Sequence, residues 1–227
     1  MKSAIILTGS DRYASKWHDH AATSQRVAEI LREIGFDARL RGTHPRVFDQ
    51  LAGADLVVVD AGKGTPGPDD APQADWDAAH EKLRAHVAGG GALLALHNSP
   101  SAFDDLPEWT TWLGGAWVNG TTMHPPIADS RVKINTGAHP IVDGMDDFDV
   151  YDEMYSYMVL EPGNTILAAH TYEGLDHPLA WARVTAGGGR VVFDALGHGV
   201  ESYASPGRIQ LLKREALWVT GTDPASA

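Results

Sequence analysis

Three short runs of uninterrupted apolar residues, at positions 4–7, 56–59 and 92–96, constrain this chain more than any other feature. Each has strand length, and stretches of helical periodicity lie between them. Val27, Ile30, Leu31 and Ile34 recur at helical spacing before Gly35, a good helix stop; Trp76, Ala79, Leu83 and Val87 do the same before Gly89-Gly90-Gly91. A strand with no polar alternation is buried on both faces, and such strands alternating with helices build a parallel sheet covered on both sides. Residues 37–40 offer a further strand. A last helix at 208–219 carries Ile209, Leu212, Ala216 and Val219 on one side. The chain reads as α/β.

Beyond residue 97 the texture changes. β-like runs at 132–134, 150–158 and 165–169 are shorter and more alternating, and the runs 178–184 and 190–195 flank Gly187-Gly188-Gly189 as a hairpin. These add antiparallel strands to a mainly parallel sheet. No linker, repeat or low-complexity tract divides the 227 residues, so one domain over residues 1–227 is expected.

The chain has no cysteine, which removes disulfides, thiolate metal sites and a cysteine nucleophile; any metal must be held by His and carboxylate. Thirty acidic against 18 basic residues give a net charge of -12 without a basic cluster, so nucleic acid and anionic membranes are poor partners. No apolar run nears the roughly 18 residues of a membrane span, and the N-terminal segment lacks a signal-peptide pattern. A cytoplasmic protein is expected.

Gly62-Lys63-Gly64-Thr65-Pro66-Gly67 spells a dinucleotide-type glycine motif, but Pro66 and Pro68 disfavour the helix that must follow it, and an ordinary loop is expected. The histidines say more. His97 ends the run 92–96, and ligands bind at the C-terminal ends of parallel strands. His198 follows the run 191–193, with Glu201 three residues on, and His18 and His20 follow the first strand. Histidine at a strand end is a candidate general acid or base, or a neutral metal ligand. Asp152 and Glu153 alternate in a β-like run, so at most one enters a given site; a solvated edge strand is the plainer alternative. The steps His124-Pro125, His139-Pro140 and His177-Pro178 read as rigid turns. Trp109, Trp112 and Trp117 suit either a sugar-stacking platform or core packing. His80 and His86 are expected on the surface.

The ordered set of motifs resembles a known family. It comprises Leu96-His97-Asn98-Ser99, Trp112-Leu113-Gly114-Gly115, His139-Pro140-Ile141-Val142-Asp143-Gly144-Met145, Asp152-Glu153-Met154-Tyr155, His177-Pro178-Leu179-Ala180-Trp181 and Leu196-Gly197-His198 with Tyr203. From about residue 4 to residue 219 these resemble the ThuA-like (trehalose-utilisation) family. The resemblance implies a flavodoxin-like three-layer sandwich of the class I glutamine amidotransferase type. Where those amidotransferases carry a cysteine after a central strand, this chain has His97, so glutamine hydrolysis through a thioester is not available; His198 with Glu201 takes the place of their late His and Glu.

The resemblance further implies a small carbohydrate substrate, such as trehalose-like disaccharides or glycosides and their 3-keto derivatives. On that reading Glu153 or His97 is the base and His198 the acid or a metal ligand. His18 or His20 completes a cluster for a divalent ion such as zinc, a Lewis acid. His18, Trp117, His124, Tyr155 and His177 would contact the sugar. A homodimer is compatible with the aromatic content. The competing readings are a sugar- or metabolite-binding module without chemistry, hydrolysis or isomerisation of another carbohydrate, and a flavin or nicotinamide protein.

Overall fold

In the computed structural model, which describes residues 1–227, the apolar runs become the centre of a nine-stranded sheet. The first half of the chain runs β1 (Lys2–Thr8), α1 (His20–Glu33), β2 (Phe36–Gly42), β3 (Leu56–Asp60), α2 (Gln73–Ala88) and β4 (Leu93–Leu96). A crossing segment holds α3 (Trp109–Leu113) and β5 (Gly115–Ala116). The second half supplies β6 (Ala128–Ile134), β7 (Phe148–Asp152), β8 (Val159–Leu160), β9 (Thr165–Tyr172), β10 (Leu175–Val184), β11 (Arg190–Asp194) and α4 (Pro206–Val219).

The sheet order is β2-β1-β3-β4-β11-β10-β9-β6-β7. The first five strands are parallel, the expected hairpin joins β10 to β11, and the remaining pairs are antiparallel. β3 and β4 are buried at every residue, which is why their sequences show no alternation. The chain steps from β1 to β2 in one direction and from β3 to β4 in the other. Right-handed crossovers therefore put α1 and α2 on opposite faces, and the reversal between β1 and β3 is a switch point where the loops part. One core of 58 buried residues runs through the parallel and antiparallel halves. No helix is long and apolar enough to cross a membrane.

The structure corrects two expectations. The run 150–158 is not one strand: β7 ends at Asp152, residues 153–157 leave the sheet, and Tyr157 takes a left-handed φ of 57°. Asp152 is the cause, because its Oδ1 accepts the N–H of Glu153 and its carboxylate turns inward instead of to solvent. β7 is indeed the edge strand, yet Asp152 is buried. His80 is also buried, not on the surface, because Tyr13, Phe48, Trp76 and Phe103 close around its ring. His86 is half-buried, with its Nε2 3.1 Å from the Ala92 carbonyl oxygen.

Charge is buried where β11 meets α4. The Arg208 guanidinium lies 2.8 Å from the Asp194 carboxylate with both side chains fully buried, and Glu215 is buried beside them. Burial, and then the Asp194 charge, push the Glu215 carboxyl well above the usual range, so it is held protonated. A raised carboxyl stabilises the fold most below its unfolded pKa, and the contribution is lost as pH climbs towards the folded value. The Tm of the wild type should therefore fall relative to Glu215→Gln between about pH 5 and 8. Thermal melts of both proteins across that range test this, and parallel curves would refute a protonated Glu215.

Candidate functional site

Five segments converge on the C-terminal edge of the parallel sheet. The loop after β1 brings His18, the end of β4 brings His97, and the turn after β7 brings Glu153 and Tyr155. The loop after β11 brings His198, and residues 117–124 bring Trp117 and His124. Most of these side chains line one cavity of about 830 Å³, with His97 buried behind its wall.

His97 sits in a left-handed conformation, φ 44°, which costs energy for a non-glycine residue and recurs at functional turns. Its N–H donates to the Asp194 carbonyl at 2.7 Å. Its Nδ1 lies 2.6 Å from the Ala195 carbonyl oxygen; a carbonyl only accepts, so Nδ1 carries a proton and, in the neutral ring, Nε2 holds the lone pair. That lone pair faces His18 Nε2 at 3.0 Å and the Tyr155 hydroxyl at 3.1 Å. His18 is aligned from behind by Ser15, whose Oγ is 2.8 Å from Nδ1.

Glu153 stands among three imidazoles, 3.2 Å from His198 Nδ1, 3.6 Å from His97 Nε2 and 3.6 Å from His124 Nε2. Burial works to raise its carboxyl, but the His198 and His97 rings outweigh it and hold Glu153 well below the usual carboxylate range. The same contact raises His198, against its own burial. Burial, then repulsion from His97 and His198, drives His18 down to about 2, so it is neutral. Tyr155 is pushed well up by burial and then by the Glu153 and Asp152 charges, so it keeps its hydroxyl proton. The site thus holds an anionic carboxylate against an imidazole biased towards its cation, with a neutral imidazole and a phenol beside them.

Asp152 points away from the cavity and holds the site together. It accepts the N–H groups of Gly197 and His198 at 2.7 and 3.0 Å and the Ser202 hydroxyl at 2.5 Å. Gly197 is required there: its φ is 116°, and a Cβ would lie 2.6 Å from the Tyr203 hydroxyl. Consecutive residues Asp152 and Glu153 therefore fix the His198 backbone and engage its ring.

His18, His97, Glu153 and His198 each offer one ligand atom, all within 4.8 Å of one another. Three imidazoles and a carboxylate suit a zinc-type ion. His198 Nδ1, buried and 3.2 Å from the Glu153 carboxylate, is the His198 atom that faces the other three ligand groups.

His20 is not brought into this group. Its Nδ1 is 2.9 Å from Asp60, which also takes the hydroxyls of Thr23 and Ser24, and its ring stacks on His18 at 5.5 Å, so it supports a neighbour. His177 also lies elsewhere, buried in β10, where its Nδ1 accepts the Tyr157 N–H. Trp109 is core, its indole N–H donating to the Ser99 carbonyl, and of the three tryptophans only Trp117 reaches the cavity. Glu201 is exposed, and the carboxylate partner of His198 is Glu153 instead. The glycine-motif loop packs on the site: a Cβ at Gly62 would lie 2.2 Å from Asn98 Nδ2. Sequence reasoning missed Ser15, Trp17 and Asp104; the one signal was the position of Ser15, three residues before His18.

The family model described as "ThuA: Trehalose utilisation" matches residues 5–219. No curated protein sequence matches the chain. Among solved structures, a protein described as ThuA-like from Parabacteroides merdae superposes with a TM-score of 0.75 at 18% identity, covering 97% of this chain and 90% of that one. A second, from Bacteroides uniformis, gives 0.72 at 15% identity, covering 100% and 96%. A glutamine amidotransferase from Thermotoga maritima gives 0.52 at 12% identity, covering 99% and 87%. These likenesses establish the glutamine amidotransferase-like, flavodoxin-like fold.

Removing the Asp152 carboxylate leaves buried donors unpaired. Asp152→Ala should lower the unfolding free energy by about 3 kcal/mol, while Glu201→Ala should stay within about 0.5 kcal/mol. Urea denaturation of both variants checks this ranking.

Proposed function

Because the chain belongs to the ThuA (trehalose-utilisation) family, we propose that it cleaves 3-keto disaccharides or related 3-keto glycosides by acid–base chemistry shared between Glu153 and His198. The observation that supports this most is the Glu153 carboxylate, 3.2 Å from His198 on the wall of a polar cavity. A C3 ketone acidifies the C2 proton. Glu153 takes that proton, the C1–C2 double bond forms, and the C1–O bond breaks. His198, as imidazolium, protonates the leaving oxygen. Glu153 then holds one proton too many and His198 one too few, and their contact returns it directly.

On this reading the Tyr155 hydroxyl, 3.1 Å from His97 Nε2, donates to the enolate oxygen, and His97 Nε2 is a second acceptor for the mobile protons. In a metal-loaded form His18, His97 and His198 would hold the divalent ion, which would supply Lewis-acid polarisation of the ketone in place of the His198 imidazolium, with Glu153 left as the base.

On a 3-keto disaccharide such as 3-keto-trehalose, Glu153→Gln and His198→Ala should each lower kcat by about 10²–10⁴-fold. Undiminished turnover in both would overturn the assignment. A wild type whose melting temperature the sugar raises without being consumed would instead mark a binding module. Chelator-treated protein should take up zinc, and His18→Ala should bind it at least about tenfold more weakly. Equal zinc uptake by both proteins would remove the metal from the proposal.

A further inference from the structure

The residues that perform this chemistry occupy only the inner end of the cavity. At about 830 Å³ it lies in the upper part of the roughly 300–1,000 Å³ range of ligand pockets, and it has room beyond one sugar ring. Its outer end is built from different groups. Trp17 stands at the rim, 73% exposed, whereas the other six tryptophans are buried or half-buried. An indole has a large apolar surface that packing normally hides. The Trp17 backbone is tied to a site histidine: Ser15 Oγ, which aligns the His18 ring, also accepts the Trp17 main-chain N–H at 3.3 Å. The Lys16 ammonium covers one face of the indole at 4.6 Å. The same cavity is also lined by Asn119, Ser101 and the ion pair of Lys63 with Asp104 at 2.6 Å, donors and acceptors suited to hydroxyl groups.

Flat aromatic surface ringed by amide, hydroxyl and charged side chains matches a pyranose ring, which is apolar across its C–H face and polar around its edge. We infer that Trp17 is the floor of an outer subsite that holds the second, unoxidised ring of a disaccharide and so selects disaccharides over single sugars. This inference rests on the carbohydrate reading of the inner cluster. Trp17 touches no reacting atom and sets specificity by binding alone.

Binding of unmodified trehalose and of glucose to the full-length protein tests the inference, read by calorimetry and by quenching of tryptophan fluorescence. The wild type should bind trehalose about tenfold more tightly than glucose. Trp17→Ala should bring the two sugars within about twofold while leaving glucose affinity and the thermal melt unchanged, and Trp17→Phe should keep most of the preference. A preference that survives Trp17→Ala overturns the inference, as does an equal loss for both sugars or a wild type that binds trehalose no better than glucose. A change in sedimentation coefficient on Trp17→Ala would assign the indole to contact between copies and overturn it too. Since no turnover is read, failure here leaves the Glu153→Gln prediction standing, and failure of that prediction with the trehalose preference intact removes the chemistry while keeping the carbohydrate-binding reading.

Discussion

The buried ion pair between Arg208 and Asp194 is the constraint from which the site geometry follows. Removing either charge alone would strand the other in the interior, at a cost of several kcal/mol. The pair is also wired to backbone. Arg208 donates to the Leu196 carbonyl at 3.2 Å, Asp194 accepts the Leu196 N–H at 2.9 Å, and the Asp194 carbonyl receives the N–H of His97. The ends of β4 and β11, which deliver His97 and His198, are thereby set against each other. Protonation of Glu215 leaves one anion facing one cation in this pocket, which the interior tolerates better than two carboxylates against a single guanidinium.

On that junction the chain carries a strained turn. His97 occupies left-handed backbone at the C-terminal end of a central strand, held by the Asp194 and Ala195 carbonyls. Strain of this kind persists where its surroundings over-determine it. The chain has the fold of glutamine amidotransferases but no thiol anywhere, so the turn presents an imidazole lone pair instead of a nucleophilic sulfur. Burial keeps His18 neutral beside it, while Glu153 and His198 polarise each other. The charge pattern follows from packing three imidazoles around one carboxylate in a half-buried space.

Much of this was legible in the chain. The apolar runs gave the parallel strands, and the end of the strand holding Ala95 and Leu96 pointed to His97. The alternation argument at Asp152 and Glu153 allowed only one of them into the site, and the structure sends Glu153 there and turns Asp152 inward. His80 is buried where its helix periodicity suggests surface, because Tyr13 and Phe103 cover that face and no periodicity within the helix reveals them. His20 and His177 lie away from the cavity for a related reason: position after a strand or before a proline says nothing of what the ring meets.

Sequence by itself determined the strands and helices of the parallel half and the absence of cysteine chemistry, because these follow from short-range periodicity and composition. Tertiary structure alone decided the partners. Glu153, not Glu201, faces His198, and Asp60 takes His20 away from the cluster, because the contacts join residues dozens of positions apart. Their distances, and the protonation states those distances impose, exist only once the loops are packed on the sheet.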